Sequence, residues 1–223
     1  MKVAIILCLF LFASPVLSGT LIDDFEDGDL DGWRQLWPQG AMIWKSLDGE
    51  LECSQRSQWS AELVIGELSW KDYTIECDVR LLQDHGAGDV DLFARITAPD
   101  NGYGFLVGDW QGRAEAFVQR LPEIAIKKRE PFDPLEMDVW HHLKLEAEGN
   151  KFVFWINDEK AIEYQDEKYQ SGMPGLGLAN YTARFDNVII SGSDVPDTIP
   201  TTWEGQPVES EEKLATCWGA IKL

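Results

Sequence analysis

Apolar and polar residues alternate in short runs along most of this chain. The clearest run is Tyr73 to Leu82. Tyr73, Ile75, Cys77, Val79 and Leu81 face one way and Thr74, Glu76, Asp78 and Arg80 the other, the period of two of a half-buried strand. Leu51 to Ser54 follows an Asp48-Gly49 turn. Val90 to Thr97 and Tyr103 to Val107 flank Pro99-Asp100-Asn101-Gly102, a hairpin signal. Ala114 to Gln119 follows Gln111-Gly112. His141 to Glu148 and Lys151 to Ile156 flank Glu148-Gly149-Asn150, a second hairpin. Asn157-Asp158-Glu159 turns the chain into Ala161 to Tyr164, and Gly175 to Ala179 and Phe185 to Ser191 close the series. Roughly ten to twelve strands with no amphipathic helix between them predict an all-β sandwich or barrel.

Both ends break this pattern. Lys2, the apolar run Val3 to Phe12 and the small residues Ala13, Ser14 and Ser18 read as a secretory signal cut before Gly19. The run is too short for a membrane anchor, and Cys8 lies inside it rather than in a lipidation box. Residues 1–18 are thus the expected signal peptide, 19–192 one domain, and 193–223 a flexible acidic tail. The tail begins with prolines, glycines and acids from Ser193 to Glu212 and ends in a small apolar cluster with Trp218 and Ile221. The expected location is secreted, cell-surface or periplasmic.

The net charge of −20 argues against nucleic acid as partner, because phosphate binding needs basic patches. It is compatible with divalent cations. Export permits disulfides, and Cys53 and Cys77 lie on expected strands. Either they are bonded or they are two buried free thiols. No CxxC is present. His85, His141 and His142 have no metal spacing, since adjacent strand residues such as His141 and His142 face opposite ways.

Three stretches together resemble the laminin-G-like, concanavalin A-like jelly rolls. They are Ile22-Asp23-Asp24-Phe25 with Gly28-Asp29-Leu30-Asp31-Gly32-Trp33; Trp140-His141-His142-Leu143-Lys144-Leu145-Glu146 with Gly149-Asn150 and Phe152 to Asp158; and Gly172 to Leu178 with Arg184-Phe185-Asp186-Asn187-Val188. The resemblance implies an antiparallel two-sheet jelly-roll sandwich with one concave face, its first and last strands side by side. The chain is also similar to the 3-keto-disaccharide hydrolase-type domain and to laminarinase-type hydrolases. The latter carry Glu-x-Asp-x-x-Glu on a central strand. Here Glu76 and Asp78 match, but Leu81 stands where the third Glu belongs, so the acid/base carboxyl of a retaining hydrolase is missing.

Asp27-Gly28-Asp29-Leu30-Asp31-Gly32 matches the first half of a calcium loop, in which alternate carboxylates curl round a hard cation. Position twelve is Pro38, which excludes an EF-hand. The resembling jelly rolls often hold calcium between first and closing strands. The expected ligands of a structural calcium are therefore Asp24, Asp27, Asp29, Asp31 and Asp186, with Asp23 an alternative to Asp24. Ten tryptophans suit stacking on sugar rings. Trp33, Trp44, Trp140 and Trp155 are expected in the core. Trp59 and Trp110, beside turns and polar residues, are expected on a binding face with Tyr103 and Tyr181; Trp37 shares their setting.

Three functions fit. The first is a non-catalytic carbohydrate-binding or adhesive module for a polysaccharide or glycoconjugate, without nucleic-acid binding or membrane insertion. The second is a glycan-cleaving hydrolase using Glu76 and Asp78, with Asp91 or Glu115 across the concave face. The third is a structural surface component held through Lys213 to Leu223.

Overall fold

The computed structural model describes residues 18–99, 101–110, 113–121 and 125–198. The expected signal segment up to residue 17 and the tail beyond 198 lie outside the described residues. Thirteen strands are formed, with no helix among the described residues: β1 (Gly19–Asp23), β2 (Arg34–Trp37), β3 (Trp44–Leu47), β4 (Glu50–Ser54), β5 (Ala61–Val64), β6 (Tyr73–Ala98), β7 (Asn101–Trp110), β8 (Arg113–Leu121), β9 (Ala125–Pro131), β10 (Trp140–Glu148), β11 (Lys151–Ile156), β12 (Glu159–Gln165) and β13 (Met173–Gly192).

Two strands organise the rest. β6 and β13 pair antiparallel along nearly their whole length, from Ile96 opposite Met173 to Tyr73 opposite Gly192. The sequence reading divides each into two strands. In the structure each is one bent strand, because residues 85–88 bulge from the pairing opposite Asn180. Asn180 takes the left-handed φ of 53° that a bend needs and that Asn tolerates. On one side of the bend, β10, β11 and β12 extend from β6, and β1, β4 and β3 from β13. We call this sheet A. On the other side, β7, β8 and β9 extend from β6, and β5 and β2 from β13, forming sheet B. All pairings between these strands are antiparallel.

The bulge also changes which residues face inward. Before it, Ile75, Cys77 and Val79 are in the core; after it, Val90, Leu92 and Ala94 are. Both halves of β6 therefore turn their apolar side toward one shared core. Rings from the two sheets meet there: Tyr103 lies 4.7 Å from Phe152, and Phe105 lies 5.5 Å from Phe152 and 6.2 Å from Phe154. The opening motif closes one edge. β1 pairs with β13 from Asp23 opposite Val188 to Gly19 opposite Gly192, and the buried Asp23 carboxylate accepts from Trp33 Nε1 at 2.7 Å and Phe25 N at 2.9 Å. The first residues expected in the tail continue the fold: Val195 is buried, and Thr20 N donates to Asp197 Oδ1.

Cys53 and Cys77 are free and buried. β13 runs between their strands, β4 and β6. Two strand spacings alone separate β4 from β6 by about 9–10 Å, and Cys53 is in line with Leu81 rather than Cys77, so the two lie beyond the roughly 7 Å that a disulfide spans. Burial pushes the Cys53 thiol up to about 12 and the Cys77 thiol higher still.

Candidate functional site

The outer face of sheet A carries Glu76 and Asp78, which share a face as their spacing requires. Their partner is a histidine rather than a third carboxyl. His142 Nδ1 lies 2.9 Å from Asp78 Oδ1 and Nε2 lies 3.3 Å from Glu76 Oε2, while Asn187 Nδ2 donates to Asp78 Oδ2 at 3.0 Å. Beside them Arg184 donates to Glu50 and Glu52, and Arg80 to Glu50. Trp140, expected in the core, is 37% exposed here, with the Arg80 guanidinium 4.6 Å from its ring centroid. Trp155 is half-buried on the same face, since its neighbours Phe154 and Ile156 point inward. Asp91 and Glu115 are not across from Glu76 and Asp78. They point outward from sheet B, with the core between the two pairs. The sequence reading assumed one continuous face, and the bend in β6 removes it.

Sheet B presents a different outer face. Opposite Val90, Leu92 and Ala94, the alternation places Asp89, Asp91 and Phe93 on its outside. Pairing sets Gly177 and Glu62 in line with Asp91, and Gly108 and Glu115 in line with Asp89. Gly177 is required by packing: a Cβ there would meet Asp91 Oδ2 at 2.4 Å and Phe93 at 2.5 Å. Glu62, Asp89, Asp91 and Glu115 are all buried. Glu115 is paired with Arg129. Asp91 is fully buried beside Asp89 and Ser60, and a buried carboxylate is costly unless its neighbours compensate it. Burial, then the charge of Asp91 beside it, pushes Asp89 well above the ordinary carboxylate range. Burial raises Asp91 to about 6, against the opposing pull of Ser60 and Asp89. Burial thus favours the protonated form of both members of the pair, and the charge of Asp91 adds to that at Asp89.

This pair lies under one end of the sandwich, where β6 bends. Ser60 Oγ donates to Asp89 Oδ1 at 3.3 Å. Its neighbour Trp59 is 47% exposed. The loop is held rather than free. Gln55 Nε2 donates to Trp59 O, Trp59 N to Ser57 Oγ, and Asn180 N to Ser57 O at 3.0 Å. Tyr181 comes to the same end at 9% exposure, and Gln55 N donates to its carbonyl. Burial raises its phenol, and the charges of Asp84, Asp89 and Asp109 add to that. Asp109 Oδ1 is also buried without a partner. Of the four expected binding aromatics, Tyr181 thus lies near Asp84, Asp89 and Asp109, and Trp59 is exposed in the loop whose Ser60 reaches Asp89. Trp110 follows Asp109 in β7, and its side chain lies outside the described residues. Tyr103 does not join them. It is wholly buried, and its hydroxyl donates to Asp166 Oδ1 at 2.7 Å near the opposite end, so it is a core residue.

The opening loop is braced by its own carboxylates. Asp27 Oδ1 accepts from Asp29 N and Asp29 Oδ1 from Asp31 N, and Asp24 Oδ1 from Glu26 N, the pattern of side chains that cap their own turns. Asp186 feels the charges of Glu50, Asp78 and Asp24, so the first and closing strands do meet. Among the described residues no three His, Cys, Asp or Glu side chains form a metal-holding group. The expected calcium ligands Asp24, Asp27, Asp29, Asp31 and Asp186 are not gathered into such a group in this arrangement.

A bent jelly-roll sandwich with a carboxyl-rich end defines the class. Residues 20–191 match the 3-keto-alpha-glucoside-1,2-lyase-like domain, and the chain belongs to that family. The levanase of Bacillus subtilis (strain 168) is 27% identical over 150 residues, which are 65% of this chain; the chain spans only 22% of that protein. Among solved structures, the carbohydrate binding module CBM66 from Bacillus subtilis superposes with a TM-score of 0.61 at 22% identity, covering 74% of this chain and 98% of that one. The GH43 protein BlXynB from Bacillus licheniformis gives 0.57 at 15% identity, covering 76% of this chain and 38% of that one. These two likenesses establish the fold.

Proposed function

We propose that this chain is an exported carbohydrate-binding module whose ligand rests at the bend end of sheet B. The observation that carries it is one short path. An exposed indole, Trp59, adjoins a hydroxyl, Ser60, which is bonded to Asp89 of a buried carboxyl pair. An aromatic face stacks on a sugar ring while nearby carboxyls accept from its hydroxyls. The levanase relative and the CBM66 neighbour carry names of carbohydrate-active proteins, which supports the reading. Export rests on residues 1–18. The test is retention of the mature chain on a panel of insoluble and soluble polysaccharides, with Trp59→Ala beside it. Binding weakened at least about tenfold by that change, a stacking loss of roughly 1.4 kcal/mol, is expected. Binding to no polysaccharide sinks the reading.

The carboxyl pair itself favours a second reading, a glycan-cleaving enzyme. Two neighbouring carboxyls whose proton affinity burial raises are the equipment of general acid–base chemistry. Turnover of 3-keto-glycosides or β-glucans that disappears in Asp91→Asn would promote it. Inertness across that panel would remove it.

A further inference from the structure

We infer that the end of the sandwich opposite the bend holds a second ligand site, a polar cavity floored by Arg95 that takes one neutral sugar unit. The site is separate from Trp59 and Asp89 and does not depend on the bend-end reading.

Tyr73, which opens β6, and Arg95, near its close, meet at this end, where Arg95 N donates to the Tyr73 hydroxyl at 2.7 Å. β6 leaves its regular pairing there. Phe93 stands opposite Gly175 and Ile96 opposite Met173, so Ala94 and Arg95 face Pro174 alone, a bulge of two residues against one. Arg95 takes a φ of 55°, which a long side chain adopts only where its surroundings hold it. Its guanidinium sits between three loops. Nη2 donates to Lys71 O at 3.3 Å and to Gly149 O at 2.6 Å, and Nη1 to Tyr169 O at 3.0 Å. Arg95 is 1% exposed, and its Nε has no hydrogen-bond partner. A guanidinium carries five N–H donors, so these bonds leave Nε–H and one Nη1 hydrogen over. Asp72 is 3.7 Å from Nη2, beyond hydrogen-bond reach, and its Oδ1 accepts from Gly149 N. The guanidinium is thus held by neutral carbonyls, and a buried donor left over is costly until a partner meets it.

Arg95 borders a cavity of about 430 Å³, lined also by Lys71, Asp72, Gly149, Asn150, Glu167 and Gln170. Sites for small ligands span roughly 300–1,000 Å³. Every lining residue is polar, charged or glycine, so an apolar ligand gains nothing there. Lys71 and Arg95 are balanced by Asp72 and Glu167, so a net charge on the ligand gains nothing either. The walls set donors (Arg95, Lys71, Gln170) beside acceptors (Asp72, Glu167). A sugar hydroxyl both donates and accepts, and a ring bearing several meets both kinds at once. The walls are also preformed: Asn150 Nδ2 donates to Glu167 Oε1 at 3.2 Å, and Asp166 N to Asn150 O at 3.0 Å.

The experiment is amide-resolved NMR titration of the mature chain with glucose and fructose, and with glucuronate and glucosamine as charged counterparts. Saturable shifts at Gly149, Asn150 and Gln170 are expected with the neutral sugars, with a weaker fit for either charged one, and they should persist in Trp59→Ala. Lys71→Ala with Gln170→Ala, both exposed, should weaken the fit roughly fivefold or more, the loss of one or two hydrogen bonds. No shifts at these amides, an equal or tighter fit of glucuronate or glucosamine, or indifference to the double variant would each overturn the inference. So would shifts that vanish in Trp59→Ala. The bend-end reading stands or falls separately, on polysaccharide retention and its loss in Trp59→Ala.

Discussion

At the scale of the residue, the chain holds two carboxylates that their surroundings shift in opposite directions. Asp91 is fully buried, and burial raises it to about 6 against the opposing pull of Ser60 and Asp89. A carboxyl raised in the folded state binds its proton more tightly there than in the unfolded chain. Its favourable contribution is complete below the unfolded value near 4 and is lost as pH rises through about 6. Asp91→Asn removes the buried charge at similar shape. It should therefore stabilise the protein at pH 7 by roughly 1–3 kcal/mol, and the gain should vanish at pH 4. Thermal melts at the two pH values check this, and a loss of stability at pH 7 would contradict it. The same variant should bind glycan more weakly, which is the trade expected of a functional group kept at a cost. Asp166 runs the other way. Burial alone would raise it, but hydrogen bonds from Tyr103, Lys168 N and Tyr164, with the charge of Arg120, outweigh that and hold it at about 2. Its contribution is present above the unfolded value near 4 and is lost as pH falls toward 2. Asp166→Asn should thus melt lower than the wild type at pH 7, with the gap closing between pH 4 and 2.

At the scale of the element, alternation made most strands legible. The face of Tyr73 to Leu82 and both hairpins need only local chemistry, a period of two and turn residues. What local chemistry cannot show is that two predicted strands are halves of one, because the bulge at 85–88 is specified by pairing with Asn180 and β13. That single feature moved Asp91 and Glu115 away from Glu76 and Asp78, while the strand order β6-β13-β4 put β13 between Cys53 and Cys77. It also hid the site. Asp89 and Asp91 read as an ordinary polar strand face, and only the register shows Gly177 and Gly108 opposite them. Trp59 was legible because a tryptophan among Gln58 and Ser60 has no apolar neighbours to bury it. Tyr103 misled because its hydroxyl needs a polar partner, and Asp166 supplies one inside the fold. The strand order makes a further prediction. With no disulfide between Cys53 and Cys77, reductant should leave the melting temperature unchanged. Both thiols should stay unreactive toward a thiol reagent until the domain unfolds, since burial keeps them protonated. Labelling followed by peptide mapping checks this. A melting point lowered by reductant would mean that the order of β4, β13 and β6 is wrong.

At the scale of the whole molecule, the two sheets are not separate layers that happen to meet. β6 and β13 each run through both, so neither sheet can lose its central strands without dismantling the other. The core is correspondingly one: Phe105 of sheet B lies against Phe152 and Phe154 of sheet A. Local opening should then be confined to the edges, and the domain should unfold in a single step. Tryptophan reporters are distributed for this test, with Trp44 and Trp155 in sheet A and Trp59 and Trp70 in loops flanking β5 of sheet B. Intrinsic fluorescence and far-ultraviolet circular dichroism should give coincident denaturation curves. Phe105→Ala should shift both by the same amount, about 3–5 kcal/mol, because it opens a cavity at the contact between sheets. Two transitions, or a shift seen by one probe alone, would show that the sheets part independently. In that case the bend end, built from both halves of β6 and β13, would not be the rigid platform on which Trp59, Tyr181 and the carboxyls are held together.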